Sequence, residues 1–352
     1  MVWFDLITPK SVMFFKGMIL ELQDLGNEFI VTTRGGEDYE ETVEILKLYH
    51  IPHYICGSYG GVKLTEKFNA SLLRQSQLKE IIAGKSIQRL INLCSVDACR
   101  IAFGYKIPII NFCDIPIIGY DNDIQKASPQ ARLTLPLSTK IYHPFMIPNE
   151  IFTHFAVPCE NIISYQFLDV VTWLQDFKPS HELYIDFLNK YKINNGRPNI
   201  LVREEEFKAS YVDKKTSFLY EALREVATYN KFNIIIIPRY TSDEIKRELP
   251  FAIVINEKII IQHILAFCDL FIGGGGTLNS ESCYFGIPTI STRSFISHYD
   301  KFLIDEGLMI NIQDKEQLIK AIFDNMKKKK AKQNPLLNMK SNMSEILKDI
   351  IR

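Results

Sequence analysis

Apolar residues along the chain alternate between short continuous runs and stretches in which they recur at every third or fourth position. The first 34 residues show the pattern, with an apolar run over 1–8, a stretch of helical spacing, and a second run over 27–34. The helical stretch carries its apolar side chains at Phe15, Met18, Ile19, Leu22 and Leu25. This order predicts a strand, a helix and a strand, which together form a βαβ unit.

The alternation continues in both halves of the chain and weakens between residues 145 and 195, where prolines interrupt it. Further strands are predicted at 88–95, 107–114, 139–144, 199–203, 232–239, 269–274 and 287–292, and helices at 215–230, 277–286 and 315–330. Continuous apolar runs are typical of parallel strands buried on both faces. The sequence therefore predicts an α/β protein of two doubly wound, Rossmann-like domains, residues 1–175 and 176–352, with a cleft between them. The last helix is expected to pack back on the first domain.

Composition narrows the class of protein. The chain has 352 residues, and its 41 basic and 41 acidic side chains give a formal net charge of +0. Such a balance creates no overall positive field, so no nucleic-acid partner is expected. Seven cysteines without a C-x-x-C pair are typical of a reducing compartment. Because the sequence shows neither a signal peptide nor an 18-residue apolar span, we expect a cytoplasmic protein.

The stretch "DLFIGGGGTLNSESCYFGIPTIST", residues 269–292, carries the strongest chemical signal. The glycines Gly273, Gly274, Gly275 and Gly276 follow a predicted strand and precede a predicted helix. Bare backbone at such a place lets an anion approach the free N–H groups of the helix. The pattern lacks the lysine of a phosphate-binding P-loop and is not the G-x-G-x-x-G of dinucleotide-binding folds. The alternative to an anion site is a glycine-rich turn that allows the helix to pack closely on the strand.

Polar residues after the glycines suit a nucleoside diphosphate. Thr277 and Ser280 offer hydroxyl donors to the phosphates. Glu281 would repel an anion, but it matches a ribose diol, which donates hydrogen bonds to a carboxylate. The stretch therefore predicts a nucleotide-diphosphate site in the second domain.

Blocks in both halves of the chain resemble domain-of-unknown-function family 354, which is classed as GT-B-like. They are "WFDLITPKSVMFFKGMILEL" (3–22), "VREEEFKASYV" (202–212), "IIPRY" (236–240), "GGGGTLNSESCYFGIPTIST" (273–292) and "DKFLIDEGLM" (300–309). The glycine stretch is also similar to the nucleotide-sugar loop of MurG-like N-acetylglucosaminyltransferases. The resemblance implies a GT-B fold, with the donor sugar nucleotide bound by the second domain and the acceptor by the first.

The resemblance also implies roles for residues outside the glycine stretch. Arg203 and Arg239 end two predicted strands and are expected to pair with the diphosphate; surface ion pairs are the alternative for both. Ser210, with Tyr211, is expected to line the cleft. Asp300 is expected to contact the hydroxyl groups of the sugar.

Catalysis is expected to be metal-independent, as is usual in GT-B enzymes. Asp121 and Asp123 spell D-x-D, but their loop favours a turn, with Mg²⁺ binding as the alternative. Many GT-B enzymes have a histidine after the first strand, whereas this chain has Thr8, Lys10 and Ser11. The resemblance implies Asp114 as the base or acceptor ligand, because it matches an aspartate of the family at the end of this strand. A helix cap or turn is its alternative, and Lys10 is a second catalytic candidate or a phosphate ligand.

Three functions remain open at this point. The first is transfer of a sugar from a nucleoside-diphosphate sugar, with UDP expected, to a glycan or lipid-linked acceptor. The second is UDP-N-acetylglucosamine 2-epimerase-like isomerisation, and the third is nucleotide-sugar binding without turnover. No cofactor is expected besides the co-substrate. Residues 58–80 are a candidate for peripheral contact with the inner membrane face, or an ordinary loop and amphipathic helix.

Overall fold

The computed structural model describes residues 1–36, 40–61, 63–204, 218–239, 242–326 and 334–351. The chain forms two compact units, one comprising Met1–Trp173 together with Lys340–Arg352, and the other Leu174–Met339. The division into residues 1–175 and 176–352 stays a prediction. Within the described ranges, no helix combines the length and apolar character needed to span a bilayer.

The first unit is built on a seven-stranded parallel sheet. Its strands are β1 (Val2–Asp5), β2 (Phe29–Gly35), β3 (Tyr54–Ser58), β4 (Arg89–Asn92), β5 (Ile109–Phe112), β6 (Lys140–Pro144) and β7 (Ile162–Tyr165), in the spatial order β3-β2-β1-β4-β5-β6-β7. Its helices up to residue 174 are α1 (Pro9–Asp24), α2 (Glu40–Leu48), α3 (Leu64–Ile82), α4 (Val96–Gly104), α5 (Pro129–Thr134), α6 (Asn149–Thr153) and α7 (Val171–Leu174). The strands pair in parallel because a helix or longer segment returns the chain between them.

The second unit has a six-stranded parallel sheet. Its strands are β8 (Asn199–Arg203), β9 (Asn233–Ile237), β10 (Ile253–Val254), β11 (Leu270–Gly273), β12 (Thr289–Ser291) and β13 (Met309–Asn311), in the order β10-β9-β8-β11-β12-β13. Its helices are α8 (His181–Lys190), α9 (Phe218–Thr228), α10 (Ser242–Glu248), α11 (Gln262–Leu265), α12 (Gly276–Tyr284), α13 (His298–Asp305) and α14 (Lys315–Asn325).

Alternate residues of the second sheet pack into two different cores. One buried cluster takes the even-numbered residues of β8, β9 and β11: Ile200, Val202, Ile234, Ile236, Leu270 and Ile272. The other takes the odd-numbered ones: Leu201, Ile235 and Phe271. Successive side chains of a strand point to opposite faces of the sheet, so a sheet covered on both sides requires an apolar residue at every position.

The last helix, α15 (Met343–Ile351), belongs to the first unit, where it contacts α1. Its inner face buries Met343, Ile346, Leu347 and Ile350. The Lys140 ammonium and the Tyr142 hydroxyl both donate to Asp349 Oδ2, at 2.9 and 2.6 Å. The chain therefore returns to its first unit after completing the second.

The strand order reverses direction once in each sheet, between β1 and β4 and between β8 and β11. At such a switch point the loops after neighbouring strands diverge and leave a crevice at the carboxyl ends, where ligands of this architecture bind. The prediction of two doubly wound α/β folds is confirmed. The loops after β1 and β11 lie at these switch points.

Candidate functional site

The glycine loop of the second unit leaves the sheet at its switch point. β11 ends at Gly273 and α12 begins at Gly276. The Gly274 N–H donates to Arg203 O at 2.9 Å, and the Thr292 N–H donates to Gly273 O at 3.0 Å. These bonds fix the loop to the ends of both neighbouring strands.

The glycines differ in why they lack a side chain. A Cβ at Gly273 would lie 2.0 Å from Asn279 Oδ1 and 2.5 Å from the Phe271 ring, so packing alone requires glycine there. At Gly275 a Cβ would meet nothing within 4 Å, and the backbone is extended, with φ −128° and ψ 152°. Neither conformation nor internal packing requires glycine at 275. Of the two interpretations of the stretch, close packing therefore applies to Gly273, and an open backbone that an anion can approach applies to Gly275.

The start of α12 lacks a side-chain cap in the part of the chain that the structure describes. Residues 275–278, including Thr277, are partly exposed, whereas Gly273 and Gly274 are buried. Free N–H groups and the positive end of the helix dipole lie there. Ser280 is buried, and its hydroxyl donates to Gly276 O at 2.9 Å within the helix.

Glu281 lies one turn further along α12 and is 2% exposed. Both of its carboxylate oxygens accept from Gln262 Nε2, at 3.0 and 3.2 Å. Gln262 is the first residue of α11, so this contact joins α11 to α12. A ribose would have to share or replace the amide of Gln262 to reach this carboxylate.

Asp300 is part of a buried ion pair that sequence reasoning missed. It forms a capping box with Ser297 at the start of α13, and Arg293 Nη1 donates to its Oδ2 at 2.7 Å. Arg293 follows β12 and stacks over Phe295, with 4.0 Å between the guanidinium carbon and the ring centroid. A signal was present in the sequence, since Arg293 directly follows a predicted strand and Arg203 is the last residue of another.

The two predicted arginines lie at the carboxyl ends of β8 and β9. Arg203 donates through Nη1 to the carbonyl oxygens of Ile237 and Pro238. The Arg239 N–H is 3.4 Å from Glu204 Oε2. Ser210 and Tyr211, the other predicted cleft residues, lie outside the described residues.

The first unit brings both predicted catalytic residues together after its strands. Thr8 caps α1, Pro9 and Lys10 form its first turn, and Asp114 follows β5. Lys10 Nζ forms ion pairs with Asp114 Oδ2 and, at 2.6 Å, with Asp169 Oδ2. Asp169 follows β7, and its Oδ1 accepts from the Tyr165 hydroxyl at 2.7 Å. Sequence reasoning missed Asp169 because no motif marks it.

Burial and charge give the three groups different roles. Burial alone would lower the pKa of Lys10, but the charges of Asp114 and Asp169 outweigh burial and raise that pKa. Burial raises the pKa of Asp169, and Lys10 offsets only part of the rise. Lys10 therefore stays an ammonium near neutral pH. The side chain of Asp114 is 22% exposed against 1% for Asp169, so Asp114 is the carboxylate open to a ligand.

The D-x-D residues form a turn. Asp123 Oδ1 accepts from the Gln125 N–H at 2.9 Å, which caps a short 3₁₀ turn over Ile124–Lys126. Asp121 pairs with Lys126 on the surface. Across the described ranges, no group of three or more His, Cys, Asp or Glu side chains is arranged to hold a metal ion.

The family described as "Protein of unknown function (DUF354)" matches the chain over residues 1–351. The chain belongs to this family. It is 29% identical over 331 residues to the uncharacterized protein MJ0665 of Methanocaldococcus jannaschii, a match that covers 93% of this chain and 92% of the relative. The resemblance inferred from the sequence blocks is thereby confirmed.

Solved structures share the fold over nearly the whole chain. The UDP-GlcNAc 2-epimerase of Methanocaldococcus jannaschii, in complex with UDP-GlcNAc and UDP, is 16% identical, with 99% of both chains covered and a TM-score of 0.77. The spinosyn rhamnosyltransferase SpnG, complexed with spinosyn aglycone, is 12% identical, with 93% and 92% covered and a TM-score of 0.59. The predicted GT-B fold is confirmed, and the neighbours include both an epimerase and a glycosyltransferase.

Proposed function

We propose that this protein binds a nucleoside-diphosphate sugar through the glycine loop of its second unit and transfers the sugar to an acceptor hydroxyl. Gly275 carries the proposal. It is a glycine that neither backbone conformation nor internal packing requires, and it lies at a switch point beside an uncapped helix N-terminus. An external group that approaches the backbone closely explains its lack of a side chain.

A diphosphate fits this loop electrostatically. The open N–H groups at the start of α12 supply donors, and the helix dipole favours negative charge at the same end. The same groups would stabilise the charge that develops on a departing nucleoside diphosphate. The UDP-bound epimerase, which shares this fold, supports UDP as the first nucleotide to test.

The first unit supplies the base in this proposal. Asp114 accepts the proton of the acceptor hydroxyl, and Lys10 holds its carboxylate in place. Lys10 cannot itself act as the base, because its raised pKa keeps it protonated. The Lys10–Asp114–Asp169 cluster has a formal charge of −1 when all three groups are ionised, which disfavours a phosphate ligand there.

A second candidate function is isomerisation of the sugar nucleotide. Inverting a carbon centre requires one group to remove a proton and a group on the opposite face to return one. Asp114 and the buried Asp169, whose pKa burial raises, are two carboxyl groups in different environments on one ammonium. Asp114 is exposed enough to act as one of these groups, whereas Asp169 is 1% exposed and would act on it through Lys10.

Titration with UDP, GDP, ADP and TDP tests the binding step, and product analysis with the matching sugar nucleotides distinguishes the functions. Free nucleotide plus a new glycoside supports transfer, and an isomerised sugar nucleotide supports the second candidate. Tight binding without turnover, over a panel of glycan and lipid-linked acceptors, supports a binding protein.

Gly275→Ala tests the loop itself. We expect it to weaken nucleotide binding about tenfold or more, equivalent to about 1.4 kcal/mol, while thermal stability stays unchanged. Gly17→Ala is the matched control, because a Cβ at this helical glycine also meets nothing within 4 Å. Equal affinity in the two variants would remove the glycine loop from the binding site.

A further inference from the structure

The region around the glycine loop contains buried polar atoms without partners. Within the described part of the chain, Asn279 Oδ1, Thr292 Oγ1 and Asp300 Oδ1 are shielded from solvent and make no hydrogen bond. All three residues are at most 2% exposed. Native structures rarely leave such atoms unsatisfied, and of the three only the Thr292 hydroxyl can donate a hydrogen bond to an acceptor such as a phosphate.

Arg293 lies against the same loop. A Cβ at Gly276 would be 3.3 Å from Arg293 Nη1, so the guanidinium lies beside the first residue of α12. The residue is 6% exposed. A guanidinium has five N–H donors, and in the described chain only Asp300 Oδ2 accepts from this one. A buried cation with unused donors therefore adjoins an uncapped helix N-terminus.

Asp300 is suited to hold Arg293 rather than to contact the sugar. Its Oδ2 accepts from Arg293 Nη1, from the Ser297 N–H at 2.9 Å and from the Ser297 hydroxyl at 2.7 Å. Three donors on one oxygen fix the carboxylate to the start of α13. The guanidinium is in turn fixed between this carboxylate and the Phe295 ring.

We propose that Arg293 binds one phosphate of the nucleoside diphosphate while the backbone N–H groups at 275–277 bind the other, with Asp300 as the positioning residue. This inference rests on the proposed function and deepens it. Two sets of donors on neighbouring phosphates make the site selective for a diphosphate over a monophosphate. A guanidinium presents paired donors that match phosphate oxygens, which a lysine ammonium does not.

Titration of the full-length protein with UDP and UMP tests the inference. We expect the wild-type protein to bind UDP at least tenfold more tightly than UMP. Arg293→Gln should reduce UDP affinity to near that of UMP and leave UMP binding within about twofold. Arg224→Gln is the matched control, because it removes another arginine of the same unit that pairs with a carboxylate, Glu248.

The outcomes separate this inference from the proposed function. If the wild-type protein binds UDP and Arg293→Gln binds it equally well, the inference is overturned and the proposed function stands. If the wild-type protein binds neither UDP nor the other nucleoside diphosphates, both are overturned. Should Arg293→Gln fail to fold by circular dichroism, Arg293→Lys replaces it; a loss of fivefold or more for UDP alone supports the inference, and unchanged UDP affinity overturns it.

Discussion

Lys10 and its two carboxylate partners show how surroundings decide the chemistry of single residues. The Asp169 carboxyl group is enclosed by the fold, whereas Lys10 and Asp114 remain partly open to solvent. Burial raises the pKa of Asp169, and the two carboxylates raise that of Lys10. Of the three, Asp114 is the carboxylate that a ligand can reach.

Asp114→Asn tests that assignment. We expect turnover to fall by about 10²- to 10⁴-fold, the usual contribution of a general base, with little change in nucleotide affinity. Lys10 keeps its pair with Asp169, so the fold should persist. Asp349→Asn is a matched control, because it alters another Lys–Asp pair of the same unit. An active Asp114→Asn enzyme would exclude Asp114 as the base.

His143 gives a pH-dependent prediction. It is fully buried, stacks on Phe152 with ring centroids 4.3 Å apart, and burial lowers its pKa below 6.5. Below pH 6.5 the unfolded chain binds a proton that the folded chain resists, so stability falls as the pH falls. The slope is at most about 1.4 kcal/mol per pH unit for one group.

Denaturant unfolding at pH 7.5 and 5.5 measures the effect of His143. His143→Gln should remove this part of the acid destabilisation, so the difference in unfolding free energy between the two pH values should shrink. His154→Gln, at a nearby exposed histidine, is the control. An identical pH dependence in His143→Gln and wild type would contradict the assignment.

At the scale of elements, the β11–α12 connection combines a glycine that packing requires with one that packing does not require. Its first glycine faces Asn279 and Phe271, while Gly275 faces open space. The run of four glycines in the sequence gives no sign of this division, because it depends on which neighbours fold against each position. The switch-point location follows from strand order, which the sequence pattern also leaves open.

Gly273→Ala should destabilise the protein even when no ligand is bound. The added methyl group would lie 2.0 Å from Asn279 Oδ1, which forces neighbouring side chains to move. We expect the free energy of unfolding to fall by about 1–3 kcal/mol, as in other overpacked cores. Comparison with Gly275→Ala by thermal denaturation checks this. Equal melting temperatures would contradict the packing role of Gly273.

For the whole molecule, α15 shows that a unit need not be continuous in sequence. The buried residues of α15 lie on one face of the helix, and burial of Leu347 and Ile350 attaches it to the first unit. The two tryptophans of the chain, Trp3 and Trp173, are both buried in that unit. Tryptophan emission therefore reports on the unit that α15 completes.

Leu347→Ala should shift the unfolding transition monitored by tryptophan emission. Leu347 is fully buried, so its truncation should lower the free energy of unfolding by about 2–5 kcal/mol. Leu337→Ala is the control, because Leu337 is 54% exposed and belongs to the second unit. An unchanged emission transition in Leu347→Ala would contradict the assignment of α15 to the first unit.

The sequence by itself determined the elements and the fold class. Apolar periodicity is a local property, and it indicates whether a segment buries one helix stripe or both faces of a strand. It predicted β1, α1 and β2 closely, and it predicted the helix after the glycines. Lys10 and Asp114 were suggested instead by the resemblance to a known family, and their catalytic roles stay predictions.

Only the tertiary structure decided how separate segments combine. Lys10 and Asp114 are 104 positions apart, and Asp169 joins them through packing that no local pattern specifies. Arg293 reaches Gly276 because β12 lies beside β11, and Asp300 is held by the capping box of the next helix. Burial and charge pairing depend on such long-range neighbours, so they appear only when the chain has folded.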